Sequence, residues 1–222
     1  QSAIVIRERT DVLWSKRLPC SWTRASHSQR RFAMRDYLLI YVNGQRHEVG
    51  GEDAFRSLSN FLRTRLRLTG TKIVCEEGDC GSCTVLIGRG HNGVIRYRTV
   101  DACIAFLFQL DATHVVTVEG LSRDDRLTPV QQTMLDCHGY QCGFCTPGFV
   151  VAMTALLEST SPSDSTAEVA ATARESGSQE RDPDPWTRGL TGNLCRCTGY
   201  VPILEAGRSI DLPAHRPLNE LY

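Results

Sequence analysis

The sequence predicts an α+β protein, with a sheet-bearing half over residues 35–120 and a helical half over 121–210. Three observations carry this. Asn43-Gly44 sits between two β-rich runs, a strong two-residue hairpin signal. After Gly120 the pattern changes to segments opened by Thr-Pro, with proline at the first helical position. Eight of the ten cysteines gather in two groups, one in each half.

Tyr37 to Val42 reads as a strand and Gln45 to Val49 as its return. From Ala54 to Leu66 the apolar residues Phe55, Leu58, Phe61, Leu62 and Leu66 fall on one helical face. Ile73-Val74 is expected as a short strand entering a Gly/Cys loop at 75–83. Thr84 to Ile87 and Val94 to Val100 should pair around a Gly-His-Asn-Gly turn, and His114 to Val118 adds another strand. In the second half, Thr128-Pro129 opens a helix that stops by Cys137, before Gly139. Thr146-Pro147 opens a second through Glu158, and Pro202 to Ile210 is the last. Residues 159–185 are rich in Ser, Thr, Pro, Asp and Glu; they read as a flexible loop with at most one weak helix at 167–174. Residues 211–222 are a tail.

Residues 1–34 are unlike the rest. They are Arg- and Ser-rich without an apolar period and read as a disordered extension, with Met34 the natural start. A targeting segment is the alternative. Arg30-Arg31-Phe32 has the paired arginines of a twin-arginine signal, but the spacing is wrong and the following apolar run is too short.

Composition excludes some function classes. Residues 1–35 hold eight Arg or Lys and only Glu8 and Asp11 as acids, leaving 17 basic and 23 acidic residues elsewhere. No basic face is visible, so no nucleic-acid partner is expected. No run approaches the roughly 18 apolar residues of a membrane span. The clustered cysteines, with no signal-peptide pattern before the folded part, favour metal-bound thiolates in the reducing cytoplasm over a secreted disulfide scaffold.

The first cysteine group reads Cys75-x4-Cys80-x2-Cys83, completed by Cys103, the plant-type [2Fe–2S] spacing. Gly78 and Gly81 let the loop turn its backbone N–H groups toward sulfur, which spreads a cluster's negative charge. A zinc site or buried free thiols are the alternatives, but zinc commonly uses two close pairs, not a triplet and a single. The second group pairs Cys142-Gly-Phe-Cys145 with Cys195-Arg-Cys197. On spacing it is open between zinc, a redox dithiol and a second cluster. Each pair precedes a predicted helix, whose N-terminus favours a negatively charged centre. Phe144 and Phe149 are expected to keep water from this site. Cys20 reads as an unpaired bystander, Cys137 as a packed core thiol, His138 as structural and the other histidines as surface residues.

Cys75–Cys83 with Thr84, then Gln141-Cys-Gly-Phe-Cys-Thr-Pro-Gly148, then Gly192-Asn-Leu-Cys-Arg-Cys-Thr-Gly-Tyr200, occur in order. In these motifs the sequence resembles the two-cluster iron–sulfur part of the molybdenum hydroxylases, the xanthine dehydrogenase family, over about residues 36–210. The resemblance implies a plant-type [2Fe–2S] ferredoxin-like β-grasp domain holding Cys75, Cys80, Cys83 and Cys103. It implies a four-helix [2Fe–2S]-binding domain holding Cys142, Cys145, Cys195 and Cys197. Gln141 matches the position that contacts molybdopterin, with Cys197 beside it on the electron path. The implied partners are a molybdopterin-binding large subunit and an FAD-binding subunit or domain. Electrons would run from molybdenum through the helical-domain cluster, then the plant-type cluster, to FAD and NAD+.

The stretches Pro129–Val150 and Gly199–Leu204 look most like xanthine dehydrogenase, hence xanthine or hypoxanthine oxidation. Carbon monoxide dehydrogenase, aldehyde oxidoreductase and 4-hydroxybenzoyl-CoA reductase are the close alternatives. A stand-alone ferredoxin-like carrier and a zinc-binding module are alternatives of other classes. Two features depart from the family pattern. The 159–185 loop is longer and more polar, and the chain stops at Tyr222, where many xanthine dehydrogenases continue into a flavin domain. It is read as a small subunit or a truncated frame.

Overall fold

The computed structural model describes residues 35–91, 93–122, 126–159 and 184–222. The expectations for residues 1–34, including Cys20, and for the 159–185 loop apart from its edges lie outside these residues.

Five strands form one sheet: β1 (Leu38–Val42), β2 (Gln45–Val49), β3 (Thr84–His91), β4 (Val94–Asp101) and β5 (Thr113–Val116), ordered β2-β1-β5-β3-β4. β1 and β5 run parallel and the other neighbours antiparallel. Asn43 and Gly44 both take positive φ, as the tight β1–β2 turn requires. Side chains alternate between faces along each strand. Ile40, Val42, Val85, Ile87 and Val115 pack against Leu58, Phe61 and Leu62 of α1 (Leu58–Thr64). Leu86 and Val116 point the other way, into the helical half. β3 is therefore covered on both faces, and its first five residues are all buried.

Three expected elements differ. The helix expected from Ala54 to Leu66 is broken. Residues 51–55 make a 3-10 turn, Arg56 is extended, and Ser57 caps α1 by accepting the Asn60 N–H at 3.4 Å. A polar cap that satisfies a first-turn amide outweighed the apolar period, and Phe55 is left 71% exposed. Ile73-Val74 is not a strand: among the described residues it pairs with nothing, because the chain there already turns into the cysteine loop. β5 ends at Val116, since Val118–Leu121 winds into a single helical turn, α2.

The helical half contains α3 (Pro129–Asp136), α4 (Thr146–Ser159), α5 (Pro185–Gly189) and α6 (Val201–Arg208). Thr128 and Gln131 form a reciprocal capping box at the start of α3. Phe149, Val150, Met153 and Leu157 of α4 join Ile203 and Ala206 of α6 and the second face of the sheet in one core. Each such side chain contributes about 1.5–3 kcal/mol when fully buried. Helices thus cover both faces of the sheet, and no helix among the described residues is long and apolar enough to cross a membrane.

The segment after α6 is packed. Leu218, in α7 (Leu218–Leu221), lies in the helical core. Glu158 Oε1 accepts the Leu218 N–H and meets His215 Nε2, both at 3.0 Å. Tyr222 donates its hydroxyl to the Gly120 carbonyl at 2.6 Å and sets its ring against His114 at 4.4 Å. His114 is buried, contrary to the surface position expected. Its Nε2 accepts the Gly44 N–H at 3.1 Å and its Nδ1 meets the Tyr97 hydroxyl at 2.8 Å, so the ring needs no water.

Candidate metal centres

The first cysteine loop runs into β3, so Cys83 directly precedes an interior strand of the sheet. Glu76, Gly78 and Gly81 all have positive φ, which curls the chain back on itself. The amides of Glu77, Asp79 and Cys80 then point at Cys75 sulfur, with the Cys80 thiol beside it. These donors, the Glu77 N–H first, outweigh burial and lower the Cys75 pKa to about 6. Cys83 behaves oppositely. Burial pushes its pKa up to about 12, and it faces the Cys103 thiol. Cys103 comes from the turn after β4, where Asp101 lies 3.8 Å from Cys83 sulfur. Burial also raises the Asp101 pKa. The four thiols meet in two pairs, Cys75 with Cys80 and Cys83 with Cys103.

The second group also meets in pairs. Cys142 and Cys197 sulfurs are 3.5 Å apart, and Cys145 faces Cys195. The Phe144 N–H lowers the Cys142 pKa, while burial pushes Cys145 up to about 12. For Cys195 burial acts upward, but the Thr198 hydroxyl at 3.2 Å and the Thr198 and Cys197 amides bring the net shift down. The hydrogen bond with Cys142 raises Cys197. Tyr200 closes this turn in the left-handed conformation, φ 69°, and its hydroxyl oxygen accepts the Cys195 N–H at 3.1 Å.

All eight donors of the two groups are thiols. A structural zinc site draws four ligands onto one ion. Thiols that meet two by two, with backbone N–H groups aimed at sulfur, instead fit a cluster of two irons taking two thiolates each.

Gln141, Cys142 and Cys197 are exposed, so the second site opens to the surface on their side. Phe149 is fully buried and packs on Tyr200, ring centres 6.3 Å apart. Phe144 is not buried over the site as expected; it is 51% exposed, beneath the Lys72 ammonium. Cys137 caps the C-terminal end of α3 and packs partly on the helical core. His138 follows with positive φ.

Asn193 stands in the Gly192–Tyr200 motif, but the sequence pattern assigns it no role. It is 6% exposed and donates from Nδ2 to the Gly81 carbonyl at 2.9 Å. Beside it, the Leu194 N–H donates to the Cys80 carbonyl at 3.0 Å. The two cysteine loops are thus bonded to each other.

One paired-thiol loop on a sheet that grips a helix, and a second at helix N-termini, define a two-centre [2Fe–2S] protein. Residues 40–105 match the 2Fe-2S iron-sulfur cluster binding domain, and residues 117–208 match the [2Fe-2S] binding domain. Aldehyde oxidase 1 of Rattus norvegicus is 44% identical over 172 residues, covering 76% of this chain and 12% of that protein. Xanthine dehydrogenase of Blastobotrys adeninivorans is 38% identical over 174 residues, covering 78% and 11%. A chain of quinoline 2-oxidoreductase from Pseudomonas putida 86 superposes with a TM-score of 0.58 at 31% identity, covering 79% of this chain and 92% of that one. The chain belongs to the xanthine dehydrogenase family of molybdenum hydroxylases, as its iron–sulfur electron-transfer portion. It spans only about an eighth of the curated relatives' length.

Proposed function

We propose that Cys75, Cys80, Cys83 and Cys103 hold one [2Fe–2S] cluster and Cys142, Cys145, Cys195 and Cys197 the other. The chain then relays electrons from molybdopterin on a large subunit to FAD on a further subunit or domain, in the cytoplasm, with NAD+ as final acceptor. Xanthine or hypoxanthine is the substrate oxidised at molybdenum. The pairwise meeting of the eight thiols is the observation that carries this reading.

Bound there, each cluster supplies a one-electron couple. The Glu77, Asp79 and Cys80 amides offset negative charge at the first site, as the Phe144 and Thr198 amides do at the second. The buried Cys80, Cys83, Cys195 and Phe149 keep water from the inner side of each. The exposure of Gln141 beside Cys142 and Cys197 supports a molybdopterin contact at that face.

The test is the visible spectrum, iron and labile sulfide of the purified chain. About four of each per chain, with two distinct reduced [2Fe–2S] EPR signals, is expected. A colourless zinc protein overturns the reading. Co-purification from the native host should bring down a molybdopterin subunit. Aldehyde oxidation is the second reading, because aldehyde oxidases and xanthine dehydrogenases resemble this chain equally, each at up to 44% identity over 172 residues. Turnover of xanthine against an aromatic aldehyde by the assembled enzyme separates the two.

A further inference from the structure

The two cysteine loops are far apart in sequence, yet they touch through main chain. The Leu194 N–H, next to Cys195, donates to the carbonyl of Cys80 at 3.0 Å. The neighbouring bond, from Asn193 Nδ2 to the Gly81 carbonyl at 2.9 Å, is buried. Gly81 also accepts the Thr84 hydroxyl at 2.6 Å, and Thr84 Oγ1 lies 3.5 Å from the same Asn193 nitrogen. Thr84 further approaches the Asp101 carboxylate, which contacts Cys83. On the α4 side, Gly148 presses so closely on Gly81 that a Cβ there would run into the Gly81 carbonyl. A Cβ on Gly81 itself would meet Asn193 Nδ2 at 2.5 Å. The approach depends on two glycines and one buried amide.

We infer that Asn193 is a positioning residue for electron exchange between the two sites. It clamps the loops so that the Cys80 C=O···H–N Leu194 bond forms the shortest bonded connection between a thiol of one site and a thiol of the other. The connection runs from Cys195 through the Leu194 peptide, across one hydrogen bond, to Cys80. One electron crosses: the Cys142/145/195/197 site is oxidised by one equivalent, the Cys75/80/83/103 site is reduced by one, and no bond or proton is transferred. This rests on the proposed reading that both sites hold clusters.

The experiment uses the assembled, cluster-loaded protein and follows electron exchange between the two EPR-distinguishable sites after rapid reduction. Asn193→Leu keeps the volume but loses the donor without adding charge; Gly148→Ala leaves Asn193 intact and pushes the loops apart. Both should slow exchange several-fold, with iron content and the two midpoint potentials unchanged. A parental rate in a fully loaded variant overturns the inference. Where neither variant loads, ENDOR on the parent protein labelled with 15N-leucine reads the same junction. A leucine amide coupling on reduction of the first site supports the inference and its absence overturns it. A parent protein without two [2Fe–2S] signals would instead sink the underlying reading and leave the bonded contact as structure alone.

Discussion

The hydroxyl oxygen of Tyr200 accepts the N–H of Cys195 at 3.1 Å, while the Tyr200 N–H is itself held by Thr198 Oγ1 at 3.2 Å. The six-residue turn from Cys195 to Tyr200 is thereby laced from both ends, with Tyr200 in a conformation that ordinarily favours glycine. Tyr200→Phe keeps the ring on Phe149 but strands the Cys195 amide. It should cost about 1–3 kcal/mol, the price of an unsatisfied buried donor, read by chemical denaturation.

The cysteines should divide sharply in a substitution series. Cys83→Ser or Cys103→Ser should remove one of two reduced EPR signals, and Cys145→Ser or Cys195→Ser the other. Cys137→Ala should keep both signals and full iron, because Cys137 is a helix-end residue packed on the helical core. Loss of either signal in Cys137→Ala would show that Cys137 takes part in a centre.

His47 carries a pH dependence with a definite sign. It is half-buried, edge-on to Phe61 with ring centres 6.4 Å apart, and burial lowers its pKa below the ordinary 6.5. Above that value the ring is neutral whether folded or not, and its contribution is fully present. As pH falls, the unfolded chain binds the proton first, so stability is lost until the folded ring also protonates. Unfolding free energies compared at about pH 7.5 and 5.5 should fall more for the parent than for His47→Phe.

The tail should matter to the helical core. Leu218→Ala removes a 1% exposed side chain and should cost about 2–5 kcal/mol. Glu158→Gln keeps one acceptor for the Leu218 amide but weakens the His215 contact, so thermal unfolding should move by less than in Leu218→Ala.

Local signals were the legible ones. Asn43-Gly44 marks its hairpin because the turn needs two positive φ values in succession, and Thr128-Pro129 marks its helix because cap and first turn are adjacent. The eight cysteines stood out through spacing. The interruption at Ser57 was hidden, since the apolar period runs across it unbroken. Contacts between distant segments left no trace. The Asn193–Gly81 bond spans 112 positions and the Tyr222–Gly120 bond 102, and no periodicity encodes either. Buried His114 misled for a related reason: its partners, Gly44 and Tyr97, come from two other strands' surroundings.

β3 is covered on both sides and hydrogen-bonded along both edges. Strands of that kind open only in the rarest fluctuations. Cys83 leads directly into it, whereas Cys142 and Cys197 sit in exposed turns. Amide exchange should therefore be slowest beside the first site and fastest beside the second. A chelator or oxidant acting on the native protein would strip the centres in sequence, the helical one first, and the stepwise bleaching would reveal which amides opened.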